Sequence, residues 1–249
     1  MENYIQETLR YYDQQTVAFA NQSKYADMSR FYRVFERYLN AGDVILDLGY
    51  GTGRDSKRFL SEGYQVIPID GSLKMCGYAE CVLGQPVRHL LFSELDYDNS
   101  LDGVWASDSL VHVSSGDIVD ILRKIHRGLR PGGALYMGFR LGEFEGMREG
   151  RYYCDWTLER LNQVIAQAGG FSVAEYMETE DVRDGFDEQW INVMLNSLQN
   201  SPQPSRNSSN NQTAKSFSVH VYFCLPRPIA SFFSIVKYEC RVNIRTTGL

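Results

Sequence analysis

No run of about 18 or more apolar residues occurs in this chain, so a transmembrane helix is not expected. The amino-terminal Met1-Glu2-Asn3-Tyr4-Ile5-Gln6-Glu7 lacks the basic start and apolar core of a secretory leader, which makes a cytoplasmic protein the expectation. The five cysteines (Cys76, Cys81, Cys154, Cys224, Cys240) are odd in number and scattered, with neither a Cys-x-x-Cys pair nor a mixed Cys/His ligand spacing. They read as reduced thiols. With only four histidines (His89, His112, His126, His220), none four residues from another, no metal centre is assigned. A Gly-Lys-Ser/Thr run is missing as well, which excludes a Walker phosphate loop.

What is present describes a globular chain. At 249 residues, with 43% hydrophobic content and a net charge of -6, it can bury a full core as one α/β domain or a domain with an appendage. Apolar and aromatic positions recur at helical spacing over 4–20 and 25–39, predicting two helices before the first strand. Strands over 44–48, 64–69, 87–91, 102–107 and 133–140 then alternate with helices over about 53–62, 72–81 and 116–129. Arg130-Pro131-Gly132-Gly133 marks the stop between the last of these helices and its strand. A helix from Thr157 to about Gly169 precedes two strand-like runs, 171–177 and 189–196, which suit an antiparallel hairpin closing the sheet. The expected fold is α/β: a doubly wound, Rossmann-like, seven-stranded sheet, mostly parallel with its last strand antiparallel, preceded by helices and followed by a C-terminal extension. Domain boundaries are expected at 1–197 for the catalytic domain, 198–215 for a Ser/Asn/Gln/Pro-rich linker, and 216–249 for an extension of unassigned role. The charge divides sharply, -11 over residues 1–197 and +5 over 198–249.

The segment Val44-Ile45-Leu46-Asp47-Leu48-Gly49-Tyr50-Gly51-Thr52-Gly53-Arg54-Asp55 reads as a buried strand entering a glycine turn and a helix. Gly49, Gly51 and Gly53 let the backbone turn tightly and let a ligand approach the helix start with no Cβ in the way. The spacing departs from the dinucleotide fingerprint, because Arg54 stands where its third glycine belongs. Asp47 would repel a pyrophosphate and would suit an ammonium. Asp70, at the end of the next strand, stands about where doubly wound folds place an acid on ribose hydroxyls. A ribose, a positive centre and no phosphates describe S-adenosylmethionine; the alternative is that Asp47 and Asp70 are strand-end helix caps.

On "DLGYGTGRD", "VIPIDGS", "LDGVWASDSLVHV", "LRKIHRGLRPGGALYMGF" and "WINVML" the chain, over about residues 10–196, resembles the class I S-adenosylmethionine-dependent methyltransferases. "GRDSKRFL" and "YYDQQTVAF" look most like small bacterial members near the tellurite-resistance type. The resemblance implies that Gly49, Gly51 and Gly53 lie under the cofactor, that Asp47 is near its methionine part and that Asp70 takes the ribose. It further implies that Gly71 and Ser72 line the adenosine, that Glu94, preferred over Ser93, meets the adenine amine, and that Ser107 faces the methionine end. Tyr50 stands where Cys or Ala is frequent; its side chain can point away from the turn.

Methyl transfer from a sulfonium chiefly requires acceptor and methyl group to be held in line in a dry site. His112, just past the fourth strand, is the candidate base or orienting group, with a structural loop histidine as the alternative. Asp108 carries the same ambiguity. The segment 140–153 reads as a long loop whose Arg140, Arg148, Arg151, Tyr152 and Tyr153 would suit an anionic or aromatic substrate. Tyr11, Tyr12 and Phe19 are either a lid or core. The Asp/Asn-Pro-Pro-Tyr/Phe motif of amino-methylating nucleic-acid enzymes and a Pro-Cys nucleophile are both missing, and the catalytic region is acidic. A small-molecule acceptor is therefore expected over nucleic acid, with no membrane partner and no assignment of oligomeric state. A cofactor-binding module without turnover, a nucleic-acid or protein methyltransferase, and a nicotinamide oxidoreductase are the competing readings.

Overall fold

The computed structural model describes residues 2–23, 26–183 and 186–198. The proposed linker beyond Leu198 and the basic extension lie outside the described residues. In strand β1 (Val44–Leu48) successive side chains project to opposite faces, and both faces are covered: Ile45 and Leu46, neighbours in sequence, are buried in different clusters. The same alternation in β4 (Leu101–Ala106) and β5 (Leu129–Arg140) sends Trp105 and Tyr136 to one face and Val104, Ala106, Leu135 and Met137 to the other. Trp105 and Tyr136 stack with ring centroids 4.1 Å apart and an interplanar angle of 15°. Such a pair adds about 0.5–1.5 kcal/mol beyond its area burial.

Each face has its own helical cover. Helix α2 (Ser29–Phe35) brings Phe31, Tyr32 and Phe35 onto the aromatic face, and α3 (Arg54–Ser61) adds Phe59. On the aliphatic face, α5 (Ile118–Gly128) presents Ile118, Leu122 and Ile125 at helical spacing, and α6 (Leu158–Ala168) presents Leu161 and Ile165. The Thr157 hydroxyl accepts the Arg160 N–H at 3.3 Å and caps α6, as the sequence suggests. Helix α4 (Leu73–Leu83) is capped in the same way by Ser72.

With β2 (Gln65–Asp70), β3 (Arg88–His89), β8 (Phe171–Glu180) and β9 (Gln189–Ser197), the sheet has seven strands in the order β3-β2-β1-β4-β5-β9-β8. Pairings from β3 to β5 are parallel, and β9 is antiparallel to both β5 and β8. This is the expected architecture. Strand order reverses between β1 and β4, and open α/β sheets bind ligands at that switch point, outside the carboxyl ends of the strands.

Several elements differ from the sequence reading. Helix α1 (Glu2–Ser23) is longer than expected and contributes nothing to the buried hydrophobic clusters. The second helix begins only at Ser29, because the Asp27 carboxylate accepts the Ser29 N–H at 2.9 Å and sets the start there; a short 3-10 turn over Glu36–Tyr38 ends it. Strand β3 shrinks to two residues. The segment read as a loop over 140–153 holds a hairpin, β6 (Glu145–Arg148) and β7 (Arg151–Cys154). Its turn residues Glu149 (φ 51°) and Gly150 (φ 80°) are both left-handed, the backbone of a two-residue hairpin turn, which a Glu at the first position disguises in the sequence.

Candidate functional site

The glycine turn leaves β1 with Gly49, Gly51 and Gly53 at φ 83°, 55° and 82°, all in the left-handed region that glycine enters without penalty. Two of the three are packing requirements. A Cβ on Gly49 would stand 2.4 Å from Ser109 Cβ, and one on Gly53 would stand 1.8 Å from the Tyr50 hydroxyl oxygen. Tyr50 folds back across Gly53 and is buried beside Cys76, Ala79 and Val87. Gly51 differs: its nearest neighbour would be Phe19 at 3.7 Å, so it presents bare backbone to the cavity above it. Alanine at Gly49 combines a steric collision with left-handed strain. We expect Gly49→Ala to cost about 2–4 kcal/mol, readable as a lowered urea midpoint at unchanged slope.

That cavity, about 470 Å³, runs over the turn to the ends of β2 and β4 and is roofed by α1. Asp70 stands at its edge, accepting the Gly51 N–H at 3.0 Å and the Ser72 N–H at 2.8 Å. Desolvation raises its pKa to about 6 against those two hydrogen bonds. Gly49, Gly51, Asp70, Gly71, Ser107 and His112 all line the cavity, as the sequence reading expects. Ser107 lines the cavity with its hydroxyl oxygen buried and, among the described residues, without a hydrogen-bond partner.

Four expected positions fall elsewhere. Gly53 lies beneath Tyr50 rather than on the cavity wall. Asp47 is 2% exposed and sits under the turn, where the Ser56 hydroxyl donates to it at 2.6 Å. Burial and the nearby Asp55 charge push the Asp47 carboxyl up to about 8, and it is not among the residues lining the cavity. Ser72 is buried and donates to Asp13 of α1 at 2.6 Å. Glu94 bends back to accept the Leu91 N–H at 2.8 Å, satisfying a local backbone donor, and Ser93 takes the cavity position.

Beneath the turn, Asp55 is a hub that sequence inspection does not single out. It accepts Arg54 Nε at 2.6 Å, Arg54 Nη2 at 3.0 Å, the Tyr32 hydroxyl at 2.5 Å and Trp105 Nε1 at 2.8 Å. Despite burial these partners hold its pKa below the usual carboxylate value.

The roof is fastened by polar contacts. The Tyr4 hydroxyl donates to Asp117 at 2.8 Å, the Tyr152 N–H donates to Thr8 Oγ1 at 2.9 Å, and Asp13 receives Ser72. Tyr12 and Phe19 line the cavity, as a lid would, whereas Tyr11 faces outward under Arg151, 4.4 Å from its ring centroid. His112 joins roof to floor. Its Nδ1 lies 2.6 Å from the Tyr152 carbonyl, which can only accept, so Nδ1 carries the proton. The Nε2 lone pair is then left to accept the Tyr12 hydroxyl at 2.8 Å. Burial, with Arg151 and Arg140 nearby, lowers the His112 pKa to about 4, and the ring is neutral.

The arginines expected to draw an anionic substrate do not reach the cavity. Arg140 pairs with Glu188, Arg148 with Asp155 at 2.9 Å, and Arg151 packs on Tyr11. Among the described residues no cluster of His, Cys, Asp or Glu is arranged to hold a metal ion, and no helix is long and apolar enough to cross a membrane.

Residues 46–137 match a family model described as a methyltransferase domain. An uncharacterized methyltransferase of Mycobacterium tuberculosis is 33% identical over 128 residues, covering 50% of this chain and 47% of that protein. The chain thus spans about half the length of the curated relatives it matches. Among solved structures, the Burkholderia thailandensis 1,6-didemethyltoxoflavin-N1-methyltransferase, bound to 1,6-didemethyltoxoflavin and S-adenosylhomocysteine, aligns with TM-score 0.65 and 20% identity over 79% of this chain and 89% of that one. A Haemonchus contortus phosphoethanolamine N-methyltransferase, in complex with phosphomonomethylethanolamine and S-adenosylhomocysteine, aligns with TM-score 0.64 and 17% identity over 80% of this chain and 61% of that one. At these identities the two structures establish the shared fold.

Proposed function

We propose that this chain, which carries a class I S-adenosylmethionine-dependent methyltransferase domain, moves a methyl group from S-adenosylmethionine to a small-molecule acceptor. The observation that carries the reading is the bare Gly51 backbone and the Asp70 carboxylate on one edge of a roofed cavity. When bound, the cofactor supplies an electrophilic methyl group on a positively charged sulfur. Asp70 would accept the ribose hydroxyls. Gly71 and Ser93 would border the adenine, and the unpartnered Ser107 hydroxyl would meet the amino-acid end. Asp47 and Gly53 support this edge from below.

The chain's own part in the reaction is to exclude water and to hold the acceptor. Helix α1 closes the cavity, and the Tyr12 hydroxyl, its proton directed at His112 Nε2 and its oxygen beside the Arg151 guanidinium, stands on the wall where an acceptor's X–H group would meet it. His112 acts through Tyr12 and is a positioning residue that can also receive the relayed proton. With a pKa near 4 its contribution belongs at the low end for such groups. His112→Ala and Tyr12→Phe are each expected to lower kcat about 10–100-fold while the cofactor Kd stays within about twofold. Equal losses in kcat and cofactor affinity would instead mark a purely structural contact.

Titration calorimetry with S-adenosylmethionine, S-adenosylhomocysteine and NADH, combined with an assay for S-adenosylhomocysteine release, tests the whole reading. Binding of the first two but not NADH, with release dependent on an added acceptor, is the expected result. Binding without release from any small-molecule acceptor would leave a sensing module.

A further inference from the structure

The cavity wall is unequal in charge. Asp55, Asp70, Asp108, Asp117 and Asp120 face Arg54 and Lys124. All but one of the acids are engaged within the protein. Arg54 holds Asp55, backbone N–H groups hold Asp70, the Tyr4 and Ser114 hydroxyls hold Asp117, and Arg123 holds Asp120. Both cations are committed as well, Arg54 to Asp55 and Lys124 to the Leu95 carbonyl at 3.4 Å. Asp108 is left. Among the described residues it has no hydrogen bond or salt bridge, the Arg54 and Arg183 guanidiniums acting on it only from a distance, and its side chain is open on the cavity.

Its placement is built into the backbone. Asp108 has φ 53°, a conformation uncommon outside glycine, directly after the end of β4. Its carboxylate rests against β5 at Gly138, where a Cβ would approach Asp108 Oδ1 to 2.9 Å. A strained residue at the edge of a cavity, seated over the strand position that has no side chain, holds an acceptor-only group toward whatever enters. The aromatic rings of Tyr4, Tyr12 and Phe19 line the same cavity, and aromatic faces favour cations. An anionic acceptor would find Arg54 held by Asp55, a neutral His112, and Lys124 as the one lining cation whose partner is a neutral carbonyl, against five aspartates.

We propose that the methyl acceptor is an amine, an ammonium ion in solution, whose N–H groups are received by the Asp108 carboxylate. This rests on the methyl-transfer reading above and adds the substrate class. The bound ammonium gives up one proton, relayed through the Tyr12 hydroxyl to His112 Nε2 and on to solvent, while Asp108 holds the remaining N–H groups. The freed nitrogen lone pair forms the N–C bond as the methyl–sulfur bond breaks, its electron pair remaining on sulfur. The product nitrogen carries the positive charge, and Asp108 is again its partner.

The test uses the full chain with S-adenosylmethionine and a size-matched panel of tyramine, histamine and a diamine against a phenol, a thiol and a carboxylate, reading S-adenosylhomocysteine release. Asp108→Asn is the variant, since asparagine accepts the left-handed backbone and the fold should survive. Expected are turnover of amines and, in the variant, an amine KM raised about tenfold or more with the S-adenosylhomocysteine Kd within about twofold. Turnover confined to the phenol, thiol or carboxylate overturns the inference. So does an unchanged amine KM, or a loss of S-adenosylhomocysteine affinity as large as the change in KM, which would place the cofactor's own ammonium on Asp108. Failure to bind the cofactor at all overturns the methyl-transfer reading and this inference with it.

Discussion

Asp70→Ala is expected to weaken S-adenosylmethionine binding by at least about 100-fold, because two hydroxyl hydrogen bonds to a partly desolvated carboxylate are worth about 1.5–3 kcal/mol each and disappear together. The loss extends into the turn, since the Gly51 and Ser72 N–H groups also depend on that carboxylate. Acid should reproduce the effect in the wild type. With Asp70 raised to about 6, ribose hydroxyls favour its charged form, so the cofactor Kd should rise about tenfold between pH 7 and pH 5. Asp70→Asn should flatten that profile. For the unliganded protein the direction is opposite. A carboxylate whose folded pKa lies above its unfolded value favours folding most below about 3.9, and that advantage is lost as pH rises through about 6. At pH 7 unliganded Asp70→Asn should therefore be no less stable than wild type by urea denaturation. A variant that loses both ligand affinity and stability at neutral pH would show that Asp70 braces the turn and does not recognise the ribose.

The strands and the helices packed on them were legible because parallel strands buried on both faces are continuous apolar runs: "VILDL" and "GVWA" admit few other readings. The turn was legible because left-handed backbone leaves glycine at the position. What the sequence conceals is which neighbour a polar group finds. Asp47 and Asp70 both stand at strand ends, yet one is held by the Ser56 hydroxyl of α3 while the other opens on the cavity, and only packing decides this. Ser93 and Glu94 are adjacent, and a single backbone N–H, that of Leu91, captures the longer side chain. The arginines of the 140–153 segment look available until the hairpin folds them onto Glu188, Asp155 and Tyr11. Helix α1 carries an apolar stripe like any core helix, but its stripe covers a cavity, a distinction that depends on the shape of what lies beneath.

The largest expected effect on stability is at Asp55. Asp55→Ala removes at once the acceptor that Arg54, Tyr32 and Trp105 share, taking a carboxylate from a guanidinium whose side chain is only 21% exposed and leaving the Tyr32 and Trp105 donors unmatched. Breaking a buried pair from one side costs about 3–5 kcal/mol. For a domain of this size that is a fall of about 10 °C in Tm. Arg54→Met combined with Asp55→Ala should recover part of the loss, because the charge goes with the carboxylate that held it; failure to recover would assign the cost to the Tyr32 and Trp105 hydrogen bonds. The pH dependence gives a separate check. Asp55 is held below the ordinary carboxylate pKa, so its stabilisation is complete at neutral pH and is lost only as pH falls through its folded value. The stability gap between wild type and Asp55→Asn should be flat near neutrality and close below about pH 4. Asp55 also helps to raise Asp47, so the same variant should return Asp47 toward the ordinary carboxylate range.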